Sequence, residues 1–320
     1  MFNYGRYEIV NIAKENGFRS ETLEKVLRLV DVLNFINSNS KLSPYLVLKG
    51  GTAINFTIFN LPRLSVDIDL DFSLSGTKEE MLEKRKEITA IIRRYMEINK
   101  YTFSESTKNR HALDSFVFNY INIFGNKDNL KIEINYMNRV HIYKPIARNV
   151  LIPFVRSFCV LTLNKFELFG SKIKALIERC TIRDVYDVYY MLKEKVVDEN
   201  EYGLLKKCVI FYMVIGQTTD RTFEEVLTDF YNKITIYMTN KIPQYLSATL
   251  KNEDKFDMKE AVGIVKDFIN KLMVLEKNEK EFVKTFYEGK KYKPELLFEN
   301  DDIVNRISKH PMALWKISNY

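Results

Sequence analysis

Between Val66 and Phe72 apolar and acidic residues alternate without a break. Val66, Ile68, Leu70 and Phe72 share one parity; Asp67, Asp69 and Asp71 share the other. A 3.6-residue helical repeat cannot separate these two sets, whereas the two-residue repeat of a strand puts each on its own face. The segment is therefore expected to be a strand, with one face in a core and carboxylates on the other. Such a strand needs neighbours that continue its apolar face. Leu130–Met137 offers one, since Leu130, Ile132, Ile134 and Tyr136 alternate with Lys131, Glu133 and Asn135. Ser115–Phe124 reads as a further strand, and the turn cluster Gly125-Asn126-Lys127-Asp128-Asn129 would join the two as a hairpin. Tyr45–Leu48, bounded by Pro44 and Gly50-Gly51, reads as a short buried strand.

Helical spacing surrounds these strands. Leu23, Val26, Leu27, Val30, Leu33 and Ile36 recur at three- and four-residue intervals and predict a helix over 20–37, with Ser20 as its N-cap. Thr52 opens an apolar helical segment over 53–59. Thr77 and Glu80 are spaced as a capping box ahead of a charged helix ending near Asn99. Beyond Leu163 no alternation remains. Helices are expected over 164–179, 183–194, 200–215, 222–238, 256–275 and 279–288, with Asn164/Glu167 and Thr222/Glu225 as cap pairs. The fold class is thus α+β: a mixed sheet flanked by helices over 1–162, then an all-helical domain over 163–320.

Composition narrows the function classes. With 320 residues, 46% of them hydrophobic, the chain can bury a core without disulfides. Eleven glycines, seven prolines and 13% aromatics exclude collagen-like and disordered classes. The longest wholly apolar stretch, Cys208–Ile215, is far short of the ~20 residues that cross a bilayer. Residues 1–6 show no charged leader followed by an apolar run, and the three cysteines, Cys159, Cys180 and Cys208, are well separated. The expectation is a cytoplasmic protein with no membrane partner and no zinc site. Lys plus Arg exceed Asp plus Glu by 49 to 42, a formal charge of +7. That excess suits a polyanion partner, although a lysine-rich surface explains it equally well.

One constellation points to chemistry. Gly50-Gly51-Thr52 lies between an expected strand and an expected helix, where bare backbone amides and the Thr52 hydroxyl could hold phosphate oxygens. Asp67 and Asp69 must project from one strand face about 7 Å apart, at ~3.3 Å per residue. Two such carboxylates repel unless a hard cation, Mg²⁺ or Mn²⁺, lies between them; otherwise they form the solvated face of an edge strand. If the 130–137 strand pairs beside the first, Glu133 joins the same face. The three carboxylates would then be the metal-binding triad of nucleotidyl transfer, with Asp67 and Asp69 also catalytic. Lys165, Lys172 and Arg179 recur every seven residues along one helix, so Lys172 and Arg179 are candidates for β- and γ-phosphate contacts, with Lys165 behind them. Asp184 and Asp187 are i,i+3 neighbours on the next helix. Arg183-Asp184 could equally be a salt bridge with a cap at Thr181. His111, His141 and His310 are scattered and are expected to have surface or capping roles; Cys180 is expected to be inert. The basic segments Lys84-Arg85-Lys86, Arg93-Arg94 and Gly289-Lys290-Lys291-Tyr292-Lys293 are either solvated faces or a track for an RNA backbone, with Tyr287 and Tyr292 available for stacking.

The stretch Lys49-Gly-Gly-Thr-Ala-Ile54 followed by Arg63-Leu-Ser-Val-Asp-Ile-Asp-Leu70 resembles the abortive-infection AbiEii/AbiGii toxins, within the polymerase-β-like nucleotidyltransferase superfamily. Lys172-Ile-Lys-Ala-Leu176 with Glu178-Arg179 and Arg183-Asp-Val-Tyr-Asp187 carries the same resemblance. It implies that Gly50, Gly51, Thr52, Arg63, Ser65, Lys172, Arg179 and Arg183 bind the nucleotide. It also implies that Lys172 and one of Asp184 and Asp187 support catalysis, the aspartate by positioning Lys172 or by acting as a base. The implied reaction moves an NMP unit from GTP or another NTP to an RNA acceptor, notably the 3′ end of tRNA. The implied partner is a separately encoded antitoxin with a winged-helix domain. The alternatives are an aminoglycoside-type small-molecule nucleotidyltransferase, which expects an acidic acceptor pocket, and a non-catalytic nucleotide- or RNA-binding module.

Overall fold

The computed structural model describes residues 2–74, 76–216, 221–239 and 241–319. The chain forms two compact units. The first comprises 1–139, 145–163 and 247–254; the second comprises 140–144, 164–246 and 255–320. Neither is one continuous stretch of chain.

The first unit opens with α1 (Arg6–Asn16) and α2 (Ser20–Ser38), followed by β1 (Leu46–Lys49), α3 (Gly50–Thr57), β2 (Asp67–Phe72) and α4 (Lys78–Ile98). Six strands complete it: β3 (Thr102–Phe103), β4 (Lys108–Arg110), β5 (Leu113–Ile121), β6 (Lys127–Asn135), β7 (Ile146–Asn149) and β8 (Cys159–Thr162). Among the described residues they form one eight-stranded mixed sheet in the order β3-β5-β6-β2-β1-β8-β7, with β4 on β5. The β2–β6 and β1–β8 pairs are parallel and the others antiparallel.

The alternating segment behaves as its pattern demands. Ile68, Leu70 and Phe72 are buried with Leu130, Ile132, Ile134 and Tyr136, each apolar side chain stabilising by roughly 1.5–3 kcal/mol. The six apolar positions of α2 named above are all buried, and α2 packs on β2, β6 and β8. Arg19, not Ser20, stands at its N-cap and makes no side-chain cap bond. The Thr77–Glu80 capping box is formed, as is the β5–β6 hairpin.

The second unit holds α5 (Lys165–Arg179), α6 (Ile182–Lys193), α7 (Tyr202–Gly216) and α8 (Phe223–Ile234). After these come the short α9 (Gln244–Ser247), α10 (Met258–Leu272), α11 (Lys277–Tyr287), α12 (Asp301–Ile307) and α13 (Pro311–Asn319). The Thr222–Glu225 capping box is formed. The expected Asn164–Glu167 box is not. Asn164 does cap α5, accepting from the Phe166 amide. Glu167, however, turns inward and is fully buried. It accepts from the amides of Ile142 at 2.8 Å and Tyr143 at 2.9 Å and from the Tyr212 hydroxyl at 2.5 Å. Two backbone donors and a phenol outcompete the single amide of the helix start. The expected α+β architecture with a helical C-terminal region is therefore present. None of the described helices is long and apolar enough to cross a membrane.

Candidate active site

Strand β1 turns directly into α3 at Gly50. Its φ of +68° lies in the left-handed region, and a Cβ there would collide with the Asp69 carboxylate. Glycine alone lets the first turn of α3 lie this close to β2. The buried Thr52 hydroxyl bonds the Asp67 carbonyl and pairs with the Ser65 hydroxyl at 2.9 Å. These contacts fasten α3 to the start of β2, so Thr52 and Ser65 are engaged within the protein. Arg63 is also buried and donates to the Leu64 carbonyl at 3.0 Å.

Register supplies the carboxylates. Asp69 faces Lys49 across β1 and Glu133 across the parallel β6, while Asp67 faces Lys131. Paired residues of adjacent strands project from the same face, so Asp67, Asp69 and Glu133 share one side of the sheet. All three are half-buried. The Glu133 carboxylate rests on Lys131 at 3.0 Å. Asp71, the third acid of the alternation, is instead buried against Lys49 at 2.5 Å.

Among the described residues no three His, Cys, Asp or Glu side chains converge as a ready-made metal cage. The donor set nevertheless suits Mg²⁺ or Mn²⁺. It is all oxygen, it lies on one accessible face, and such ions are commonly held by one or two carboxylates with substrate phosphates and water completing the shell. Asp67 and Asp69 are the candidates for those carboxylates, and Glu133, which here rests on Lys131, is the candidate for a third.

The second unit gathers the other expected residues. The Lys172 ammonium lies 3.1 Å from Asp184 and 2.9 Å from Asp187, all three buried. Arg179 grips Asp184 through two nitrogens at 2.7 and 2.8 Å, and the Thr181 hydroxyl donates to it at 2.6 Å. Cys180, left-handed at φ 48°, makes the sharp turn that sets α6 beside α5. Burial opposes ionisation of Asp184, but Lys172, Arg179 and Thr181 outweigh it and hold the carboxyl below the usual range. Arg183 lies over the Tyr245 ring at 5.8 Å. Lys165 leaves the expected stripe and binds Glu201 at 2.6 Å. Burial raises the Cys180 thiol to about 11, which suits the expected inert role.

Three features escaped sequence reasoning. Lys49 is the salt-bridge partner of Asp71, a pairing that its place before two glycines does not signal. Glu167, whose carboxyl is raised by burial and lowered in part by His141, Tyr212 and the two amides, carried only a capping signal. His141 and His310 are both buried; His310 does hold a capping position, directly before α13 with its carbonyl accepting from the Leu314 amide at 3.0 Å, whereas nothing in the local sequence marks the burial of His141.

Residues 32–257 match the sequence model of the family described as nucleotidyl transferase AbiEii toxin, type IV TA system. Among solved structures, MenT4, a nucleotidyltransferase toxin from Mycobacterium tuberculosis H37Rv, superposes with a TM-score of 0.59. The two are 13% identical, over 98% of this chain and 99% of that chain. The CdnE cyclic dinucleotide synthase of Elizabethkingia meningoseptica, with GTP and Apcpp, gives a TM-score of 0.23 at 10% identity, over 85% and 100% of the two chains. No curated protein sequence matches this chain. At 13% identity the likeness to MenT4 is one of fold.

Proposed function

From the premise that this chain belongs to the AbiEii nucleotidyltransferase toxin family of type IV toxin–antitoxin systems, we propose that it transfers an NMP unit from GTP or another NTP to RNA, at the 3′ end of tRNA. The chain is a nucleotidyltransferase, and the family implies a nucleotide substrate and an antitoxin partner. A winged-helix domain in that antitoxin, and action in the cytoplasm against phage, are part of the same proposal.

In the proposed reaction the acceptor hydroxyl oxygen bonds to the α-phosphorus. The bond to the bridging oxygen breaks, pyrophosphate leaves, and the acceptor proton passes to solvent or a nearby base. Asp67 and Asp69, with Glu133, would hold Mg²⁺ or Mn²⁺. A divalent ion there would neutralise charge on the transferring phosphate and acidify the attacking hydroxyl. Gly50 and Gly51 present backbone amides without a side chain in the way. Thr52 and Ser65 support the reading as the braces that fasten this turn to β2, and Arg63, which donates to the Leu64 carbonyl, is proposed with them as part of the nucleotide-binding set. Lys172, Arg179 and Arg183 are proposed as triphosphate contacts.

For Asp184 and Asp187, positioning Lys172 is favoured over acting as a base. Both already hold the Lys172 ammonium, and the depressed Asp184 carboxyl is a poor proton acceptor at neutral pH. The observation that carries the reading is the parallel β2–β6 register, which aligns Asp69 with Glu133 beside Gly50.

The test incubates the protein with Mg²⁺, each α-labelled NTP in turn and total tRNA. Labelling of RNA that is lost in Asp67→Ala and in Asp69→Ala supports the proposal. Labelling that persists in both variants removes the proposed metal site, and an unlabelled tRNA pool with every NTP removes the acceptor.

A further inference from the structure

The second unit contains a cavity of about 590 Å³ between the start of α8 and the length of α11, and it shares no residue with the Lys172 cluster. Its rim is cationic. Lys280 and Lys284 lie one helical turn apart on α11, Arg221 joins them from just before α8, and Lys290 from just after α11. Among the described residues neither the Lys280 nor the Lys284 ammonium has an ion-pair partner. Like charges four residues apart on a helix weaken it, although Lys284 in the last turn of α11 is also favoured by the helix dipole. Glu224 and Glu288 also line the cavity, so its lining carries four cations and two carboxylates, with one of the cations, Arg221, already paired to an acid outside it. Arg221 is held in place by Asp229 at 3.1 Å and by the Glu225 carbonyl at 3.1 Å. Lys290 adopts φ 48°, a conformation that costs a side-chain-bearing residue energy and that is enriched where a residue is held for function.

The floor is of a different kind. Phe223 and Val283 are buried, and Leu275 and Tyr287 complete an apolar and aromatic surface under the lysines. The Tyr287 hydroxyl lies 3.5 Å from the Val214 carbonyl, and the Lys316 ammonium lies 5.2 Å from its ring centroid. Tyr292, inside the basic 289–293 segment, donates to the Ile307 carbonyl at 2.9 Å and is not part of the cavity. A cationic rim over an apolar, aromatic floor, in a volume within the ~300–1,000 Å³ of small-molecule sites, matches one nucleotide unit. Phosphate oxygens go to the lysines, and the base lies on the floor.

We propose that this cavity binds a nucleotide unit of an RNA strand, and so serves as an acceptor-holding site separate from the residues assigned to transfer; the inference rests on the RNA-acceptor reading above. The same chemistry could be offered by a free nucleotide, and the experiment separates the two sources. Binding of a 5′-fluorescein-labelled single-stranded RNA and of a fluorescent NTP analogue is followed by anisotropy across a salt series. The proteins are the full chain, Lys280→Glu/Lys284→Glu and the charge-retaining Lys280→Arg/Lys284→Arg.

The expected result is RNA affinity about tenfold weaker in the glutamate variant and near wild type in the arginine variant, with NTP binding unchanged. Its log–log salt slope should shrink by about 1.4, the release from two single-strand phosphate contacts. Loss of NTP binding with RNA binding intact assigns the cavity to free nucleotides and overturns the RNA assignment. RNA and NTP affinities both within twofold of wild type in the glutamate variant overturn the site altogether. Failure of the parent reading looks different. A chain that binds RNA through the lysines yet labels no RNA loses the transfer reaction and keeps this site. A chain that labels RNA equally well with and without the lysines keeps the reaction and loses this site.

Discussion

At Gly50 two constraints coincide: a backbone dihedral that side-chain-bearing residues resist, and a space already filled by the Asp69 carboxylate. Gly50→Ala should therefore cost about 1–2 kcal/mol from the left-handed backbone alone. Because the displaced group is a proposed metal ligand, transfer should fall more than stability does. Thermal melts paired with the RNA-labelling assay check this, and a fully active Gly50→Ala protein would refute the close approach. Asp184 makes the opposite kind of argument, from charge. It is buried and answers two cations, so Asp184→Asn removes a shared counter-charge; because Lys172 keeps Asp187 and Arg179 is largely exposed, the loss should be about 1–3 kcal/mol. Its pH dependence has a definite sign. The folded carboxyl sits below its ordinary value, so the unfolded chain binds the proton more readily. The stability it contributes is complete above about pH 4 and drains away as the pH falls through the folded value. Denaturation between pH 2 and 7 should thus show a steeper acid loss in the wild type than in Asp184→Asn. Equal acid slopes would mean that the cluster contributes no such linkage.

Elements show why some of this was legible in sequence and some was not. The β2 and β6 alternations are local, and a two-residue period with one apolar face admits no second solution. That is why the strand pair and the carboxylates of its polar face could be read directly from 66–72 and 130–137. Their shared face was readable only on condition that the two strands are neighbours. The order β6-β2-β1 that makes them so is a long-range fact. Glu167 shows the limit more sharply. Three residues after Asn164, a glutamate obeys the local capping rule, yet its partners lie 24, 25 and 45 residues away. No window around α5 contains them. The carboxylate fastens the 142–143 segment and α7 to α5 within the second unit, so Glu167→Ala strands two buried amides and a phenol. At roughly 1–3 kcal/mol per unsatisfied group, the loss should reach about 3–5 kcal/mol in urea titrations. Glu167→Gln should recover only part of it, since an amide nitrogen cannot accept. A loss below about 1 kcal/mol in Glu167→Ala would show that water replaces the carboxylate.

On the scale of the whole molecule the chain order and the spatial units disagree, and this has a consequence for the first unit's site. Residues 247–254 are reached only after α5 to α9, yet they belong to the sheet-bearing unit. There the Thr249 carbonyl accepts from the Leu64 amide at 2.8 Å, and Leu250 bridges Arg63. The Ala248 carbonyl accepts from the Thr22 hydroxyl at 3.2 Å, and the Asn252 amide donates to the Gly17 carbonyl at 2.7 Å. The segment thus ties the entries of α2 and β2 together, with Leu64 only three residues before Asp67. Its sequence, Ser-Ala-Thr-Leu-Lys-Asn-Glu-Asp, has no strong period of its own, so its place could not be read locally and is set by partners that precede it by some 180 to 240 residues. A fragment of residues 1–163 keeps the strands of the sheet but leaves the Leu64 and Gly17 backbone groups without these partners. It should unfold at a lower urea concentration than the same fragment carrying 247–254 on a flexible Gly/Ser linker. Circular dichroism read against urea measures the difference. Two such bonds at about 1 kcal/mol each, with a urea slope of roughly 1–3 kcal/mol per molar, give a midpoint shift of about 1 M. Coincident midpoints would mean that the segment leans on the first unit without stabilising it, and the brace on the approach to Asp67 would have to be sought in Thr52 and Ser65 alone.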